Sequence, residues 1–371
     1  MNIFYTGAFR YPNLDAAGKR VQTIVTCLSP EHNITIGGWE KNNNNNEPNH
    51  ISFDILDRRN KNSLLRIINF ITKGLKIIPY IIRNKHKYDC YILYNPPYLF
   101  SHVMYLFCMC TKKKLVLDNT EWYESEHLIG GRYGLAAIEN RLRMKYIYKK
   151  IKNKIVISNF LYNFYNEHEN TIIVPPLSYT TEIKKKPHTE LNLIYAGSPG
   201  KKDKVNSIID IILNLSTDNK NKIKLHLVGF TLGDFLKSHV SYNEKKLLFI
   251  EHVIFYGRLP MHDVYKLYEK MDYLIFFREN KRYAVAGFPS KFVEALSFSL
   301  PIISNSIGDI KDYLPKVGII YNPGENDPNE LIKTALMCKN KFDKDIDQLF
   351  HSHFSIDANK CKLLNFIENI K

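Results

Sequence analysis

Two stretches of this 371-residue chain hold polar groups at spacings that chemistry could use. The first is Gly197-Ser-Pro-Gly-Lys-Lys-Asp-Lys204, which follows an apolar run at 191–196 and precedes a helix-patterned segment at 205–215. A glycine loop between strand and helix lets backbone N–H groups approach an anion, and Lys201, Lys202 and Lys204 add positive charge. The second stretch, 287–305, reads GFPSKFVEALSFSLPIISN. Gly287 and Pro289 predict a turn and Ser290 an N-cap. Phe292, Val293 and Leu296 predict a helix that Pro301 ends, and 301–304 a short buried strand. Ser290 and Glu294 stand four apart, placing a hydroxyl and a carboxylate on one helical face. A carboxylate one turn inside a helix whose free N–H groups face a cleft can grip a diol beside a phosphate. The same pattern equally describes an amphipathic helix with Glu294 in solvent.

Spacing also removes several chemistries. The loop lacks the Lys-Ser/Thr pair of a nucleoside triphosphatase phosphate loop and is not GxGxxG, which disfavours a nicotinamide oxidoreductase. No HExxH occurs, and His351 and His353 lack helical ligand spacing, so no metal is expected. No Gly-x-Ser-x-Gly elbow marks a serine hydrolase.

The elements that must position these groups alternate strand and helix. Residues 2–6 predict a strand, 16–28 a helix and 33–37 a second strand, the unit of a parallel doubly wound sheet. The loop after the first strand opens on the ligand crevice of such a sheet, making Arg10, Asp15, Lys19 and Arg20 candidates for phosphate or acceptor contacts. Each is as readily a solvated loop residue. Strands follow at 90–94, 115–118, 154–158 and 171–174. The strand at 115–118 leads into Asp118-Asn-Thr-Glu-Trp122, so Asp118 and Glu121 are site candidates at its carboxyl end. A polar, lysine-rich segment at 178–190 predicts an interdomain linker. The alternation then restarts with strands at 191–196, 224–228, 249–256 and 273–277, and the tail from 342 is helical in pattern.

Length supports two domains. The balance is basic, 52 Lys+Arg against 37 Asp+Glu, net +15 with pI about 9.3, which predicts a polyanionic partner. Residues 58–88 contain no acid and interleave Arg and Lys with Leu and Ile. They predict basic amphipathic helices broken near Pro79 and suited to an anionic membrane surface, or a core helix with a solvated basic edge. A nucleic-acid binder would explain the charge, but no motif with interleaved stacking aromatics is present. The Asn42 to Asn46 run predicts a surface insertion. The longest apolar run, 98–110, is too short to span a bilayer and predicts a buried helix, with Cys108 and Cys110 as core thiols. Six cysteines without CxxC, and an amino terminus that enters a strand directly, predict a cytoplasmic protein.

In order and spacing, the chain resembles the GT-B glycosyltransferases, and more narrowly the family-4 (group 1) nucleotide-sugar transferases of bacterial surface polysaccharide assembly. The resemblance spans nearly the whole chain. It rests on 7–21, LDNTEWY (117–123), IVISNFL (155–161), IIVPPL (172–177), YAGSPGKKD (195–203) and FPSKFVEALSFSLP (288–301). It implies an α/β fold of two doubly wound, Rossmann-like domains facing a cleft. The first would be an acceptor-side domain, 1–177, with the terminal helix at about 355–371 packing back on it. The second would be a donor domain, 190–354. Matching positions imply that Lys202, with Lys201 second, contacts the donor diphosphate along the Gly197–Ser198 loop. They put Arg258 near the base and Glu294 on the ribose hydroxyls. Two departures stand out. Ala286 occupies the place of a family glutamate near the transferred sugar, which Ser290 or Lys291 would have to replace. Asn119-Thr120-Glu121 stands where many members carry a histidine, leaving Glu121 as the acceptor-side group.

The expected activity is retaining sugar transfer from a nucleoside diphosphate sugar, UDP first, to a lipid-linked or oligosaccharide acceptor of capsule, O-antigen or exopolysaccharide. Catalysis would rest on Lys202, Glu294 and Glu121, with no cofactor, no metal and no nucleic acid. The cytoplasmic face of an anionic inner membrane is the expected location. The rival expectation is a non-catalytic sugar-nucleotide-binding protein.

Overall fold

The structure, a computed structural model, describes residues 1–11, 15–41, 49–56, 63–165, 170–181, 190–198 and 202–370. The chain divides into two units. One comprises Met1–Leu177, Ala286–Phe288 and Ile356–Lys371, the other Ser178–Val285 and Pro289–Ser355.

The first unit is built on seven parallel strands: β1 (Asn2–Gly7), β2 (Asn33–Gly38), β3 (His50–Ser52), β4 (Cys90–Tyr94), β5 (Lys114–Asn119), β6 (Asn153–Val156) and β7 (Asn170–Ile173). Their order is β3-β2-β1-β4-β5-β6-β7. Continuous apolar runs such as Ile3-Phe-Tyr5 and Tyr91-Ile-Leu93 suit strands covered on both faces. Helix α1 (Ala16–Leu28) begins where Asp15 accepts from the Gly18 N–H at 2.8 Å. Its Val21, Ile24 and Leu28 share a core with Leu363, Phe366 and Ile367 of the terminal helix Ile356–Glu368. Each such side chain contributes about 1.5–3 kcal/mol on burial.

The second unit carries six parallel strands: β8 (Leu191–Ala196), β9 (Ile223–Val228), β10 (Val253–Gly257), β11 (Tyr273–Phe276), β12 (Ile302–Ser304) and β13 (Gly318–Ile320). They are ordered β10-β9-β8-β11-β12-β13. Both sheets are therefore doubly wound.

Several local expectations shift. The strand expected at 249–256 begins only at Val253, because Lys246–Phe249 is a helical turn closed by His252 N donating to Phe249 O. The basic segment breaks at Gly74, whose φ of 91° stops α2 (Ser63–Ile71). Pro79 instead lies in the first turn of α3 (Ile78–Arg83), where its missing N–H costs nothing. Helix α4 (Tyr98–Thr111) buries Phe100, Met104 and Cys108 but exposes Met109 and Cys110, so Cys110 is not a core thiol. Ser290 is the first helical residue, with Pro289 at the N-cap. That helix stops at Ser297, before Ser299 at φ 46° and ahead of Pro301. No strand is predicted from the sequence at β3 or β13, two of the three-residue strands. The asparagine run and the lysine-rich linker core lie outside the described residues.

Candidate functional site

In the second unit, β8, β9 and β10 lie side by side; Gly197 and Gly229 directly follow β8 and β9, and Gly257 ends β10. Gly229 has φ 116°, and a Cβ there would stand 2.2 Å from the Gly197 carbonyl oxygen. Only glycine permits this approach, which draws the β9 loop against the start of the lysine loop.

Asp203 anchors the described end of the loop. Its Oδ1 accepts from Arg278 Nε at 2.7 Å, and its Oδ2 accepts from Lys291 Nζ at 2.5 Å and from the Tyr195 hydroxyl at 2.9 Å. Lys291 Nζ also lies 3.9 Å from the centre of the Tyr195 ring. Burial alone would raise the Asp203 pKa, but Lys291 and Arg278 outweigh it and hold the carboxyl far below the usual range. Burial likewise draws the Lys291 pKa down, opposed by Asp203. At neutral pH Asp203 is thus an anion clamped between two cations.

Around this lock the expected donor residues take distinct positions. Lys202, half-buried, immediately precedes Asp203, so its backbone is fixed by the lock; Ser198 is exposed, and Lys201 lies outside the described residues. Lys204 turns to Glu279 at 3.1 Å, a surface pair worth at most about 1 kcal/mol. Arg258 is exposed directly after Gly257, where its charge reaches Asp234 at the start of the helix Leu232–Ser238. Glu294 is half-buried. After burial itself, its carboxylate is the largest influence raising the buried Tyr268 phenol, so it is not a purely solvated residue. Ser290 is half-buried at the head of the same helix. Lys291 departs from expectation. It is buried with its Nζ on Asp203, so its charge is spent on that carboxylate. Ala286 is itself buried, its carbonyl accepting from Ser158 Oγ at 2.7 Å.

The first unit separates its candidates. Arg20 and Asp118 are buried against each other at 2.8 Å. Asp118 also accepts from the Tyr5 hydroxyl, and Arg20 Nη1 donates to Val174 O at 2.9 Å. Burial opposes charge on Arg20, yet Asp118, with Tyr5 and Tyr94, outweighs it and keeps the guanidinium charged. This pair ties α1 to β1, β5 and the end of β7, and neither residue is presented as an acceptor contact. Glu121 instead accepts from the Tyr123 hydroxyl at 2.5 Å and lines a cavity of about 450 Å³ with Asp15, Asn95, Lys73 and Arg143. Arg10 is exposed and Lys19 half-buried.

Sequence reasoning missed Asp203 and Arg278 as a pair, since 75 residues separate them. The available signal was a single carboxylate set among Lys201, Lys202 and Lys204.

Residues 180–346 match the family described as glycosyl transferases group 1. No curated protein sequence shows significant similarity to the chain. Among solved structures the chain is similar to the lipopolysaccharide outer core galactosyltransferase WaaB in its apo form (TM-score 0.64, 15% identity, 99% of each chain covered). It is similar to sucrose-phosphate synthase from Thermosynechococcus elongatus (TM-score 0.73, 12% identity, 99% of this chain and 98% of that one). It is also similar to Anabaena HepE in complex with UDP (TM-score 0.71, 13% identity, 100% of each chain). At such identities the likeness speaks for the fold, and it is the two-domain α/β architecture of the GT-B glycosyltransferases.

Proposed function

We propose that the chain is a retaining glycosyltransferase that moves a hexosyl group from a nucleoside diphosphate sugar to a hydroxyl of a lipid-linked glycan in surface polysaccharide assembly. The observation that carries the proposal is the Asp203 cluster, which anchors the chain from Lys202 onward beside the carboxyl end of β8, within the segment matching group 1 glycosyl transferases. A neighbour of the same fold in complex with UDP supports a uridine donor.

In this reading Lys202 and loop N–H groups meet the diphosphate and neutralise the charge that develops as it departs. Glu294 accepts from the ribose hydroxyls, Arg258 lies by the base, and Ser198 and Ser290 flank the donor. Glu121 orients the acceptor hydroxyl. Lysine charge does the work a divalent ion would otherwise do, so neither metal nor cofactor is required. Residues 63–83 dock the protein on an anionic membrane, on its cytoplasmic face. Their support is α2, whose apolar side chains from Leu64 to Ile71 are 37–62% exposed beside Arg66, Lys73 and Lys76.

Incubation with a panel of nucleoside diphosphate sugars and lipid-linked acceptors tests the proposal. Release of UDP coupled to acceptor elongation, undiminished by EDTA, is expected; no turnover with any donor would overturn it. The buried Ala286, in place of a family glutamate, favours one other reading, a binding protein that retains nucleotide affinity without turnover.

A further inference from the structure

The cavity of the first unit has an unusual balance of charge. Its three carboxylates already accept protein donors: Asp15 from Gly18 N, Glu121 from Tyr123 and Glu139 from Tyr98 N at 2.8 Å. Its two cations are less satisfied. Among the described residues Lys73 makes no ion pair or hydrogen bond; the Trp39 ring stands 6.0 Å away and the Glu139 charge acts on it from a distance. Arg143 donates Nη2 to Asn140 Oδ1 at 3.1 Å and lies 5.7 Å from the Tyr148 ring centre, but its buried Nε has no hydrogen-bond partner and meets Glu139 only as an ion pair at 3.9 Å. The two cations also act on each other, since burial first and then the Arg143 charge draw the Lys73 pKa down. An anion seated beside both would satisfy them.

The rim of the cavity is apolar on two sides. Phe70 brings α2, with its exposed Ile67 and Ile71. Glu139 brings α5 (Leu135–Leu142), which Arg143 directly follows; it exposes Leu135 and Ile138 and comes after a loop exposing Ile129 (91%) and Tyr133 (85%). A second, smaller cavity of about 210 Å³ shares Phe70 and Lys73 and adds Arg66 and Lys76.

We infer that this cavity binds the phosphate or diphosphate of an amphiphilic acceptor, with Lys73 and Arg143 on the phosphate and the hydrocarbon lying along α2 and the Ile129–Tyr133 loop. The inference rests on the lipid-linked acceptor proposed above and names the group by which it is recognised. The phosphate is the acceptor's own, not that of a bulk bilayer headgroup.

Farnesyl diphosphate titrated calorimetrically into the full chain tests it, with inorganic pyrophosphate and farnesol as partial ligands. Farnesyl diphosphate should bind more tightly than either. Lys73→Gln, a half-exposed change that leaves the fold intact, should weaken it roughly tenfold or more. The same variant should keep the parent's UDP-induced thermal shift, and change binding to phosphatidylglycerol vesicles by no more than the roughly fivefold of one surface charge. Unchanged farnesyl diphosphate binding in Lys73→Gln, or farnesol binding as tightly as the diphosphate, overturns the inference. So does a parallel loss of vesicle binding beyond that factor, which would assign the phosphate to the bilayer. Absence of any UDP shift in the parent would instead strike the donor reading, leaving the loss in Lys73→Gln to stand for the cavity.

Discussion

Asp203→Asn removes one negative charge and almost no volume, and the structure sets what that costs. The parent carboxylate accepts from Arg278, Lys291 and Tyr195 within 2.5–2.9 Å. The variant leaves two cations facing each other with no anion between them. Breaking a buried ion pair from one side costs about 3–5 kcal/mol, because the remaining charge stays desolvated. In a unit of this size about 1 kcal/mol moves Tm by 2–4 °C, so the second unit should melt roughly 6–20 °C lower. Circular dichroism melts at pH 7 read this directly. Adding Lys291→Met should recover part of the loss, since removing both charges is far cheaper than stranding one. The pH dependence has a definite sign. A carboxyl held below its unfolded pKa stabilises the fold above about pH 4, and that stabilisation fades as pH falls further. Parent and variant melting curves should therefore converge on acidification below pH 4. A variant melting within 2 °C of the parent at pH 7 would refute the idea that Asp203 holds Arg278, Lys291 and Tyr195 together.

Three further outcomes follow from the same geometry. Lys202→Ala should lower kcat for sugar transfer at least tenfold while leaving Tm unchanged, as measured by steady-state kinetics beside a melt; normal kcat would remove it from the chemistry. Lys154 is wholly buried in β6, where burial and then Lys149 draw its pKa down to about 7. Between pH 7 and about 10 the unfolded chain holds the extra proton, so stability should rise with pH, by at most about 1.4 kcal/mol per unit, and Lys154→Met should flatten that slope in urea titrations. Replacing Leu64 and Ile68 with Asn, with Lys76 and Arg83 as Gln, should release the protein from anionic vesicles at moderate salt, whereas unchanged co-sedimentation would return α2 to a plain surface role.

Much of the framework was legible because it is written in local pattern. Residues 16–28 carry a helical apolar face behind an Asp15 cap, and α1 forms over those residues. Runs such as Cys90–Tyr94 could only be buried strands. What escaped depended on partners distant in sequence. Arg20 and Asp118 look like loop-end polar residues until the fold brings them together across 98 positions. Lys291 reads in sequence as a stand-in for the glutamate absent at Ala286, and its pairing with Asp203, 88 residues away, is visible only in the fold. The exposed face of α2 was legible as basic and apolar, but not the cavity at its end, which needs Glu139 and Arg143 from an element about 70 residues later.

The central claim is a nucleotide site in the second unit, and Glu294 tests it most directly. Calorimetric titration of UDP and 2′-deoxy-UDP into the parent and into Glu294→Gln gives four affinities and one coupling energy. A carboxylate accepting from both ribose hydroxyls contributes about 1.5–3 kcal/mol. The variant should therefore bind UDP roughly 10- to 100-fold more weakly. The deoxy ligand should bind the parent less well than UDP does and lose little more in the variant. Equal losses for both ligands, or no binding of UDP to the parent, would contradict the assignment of the site.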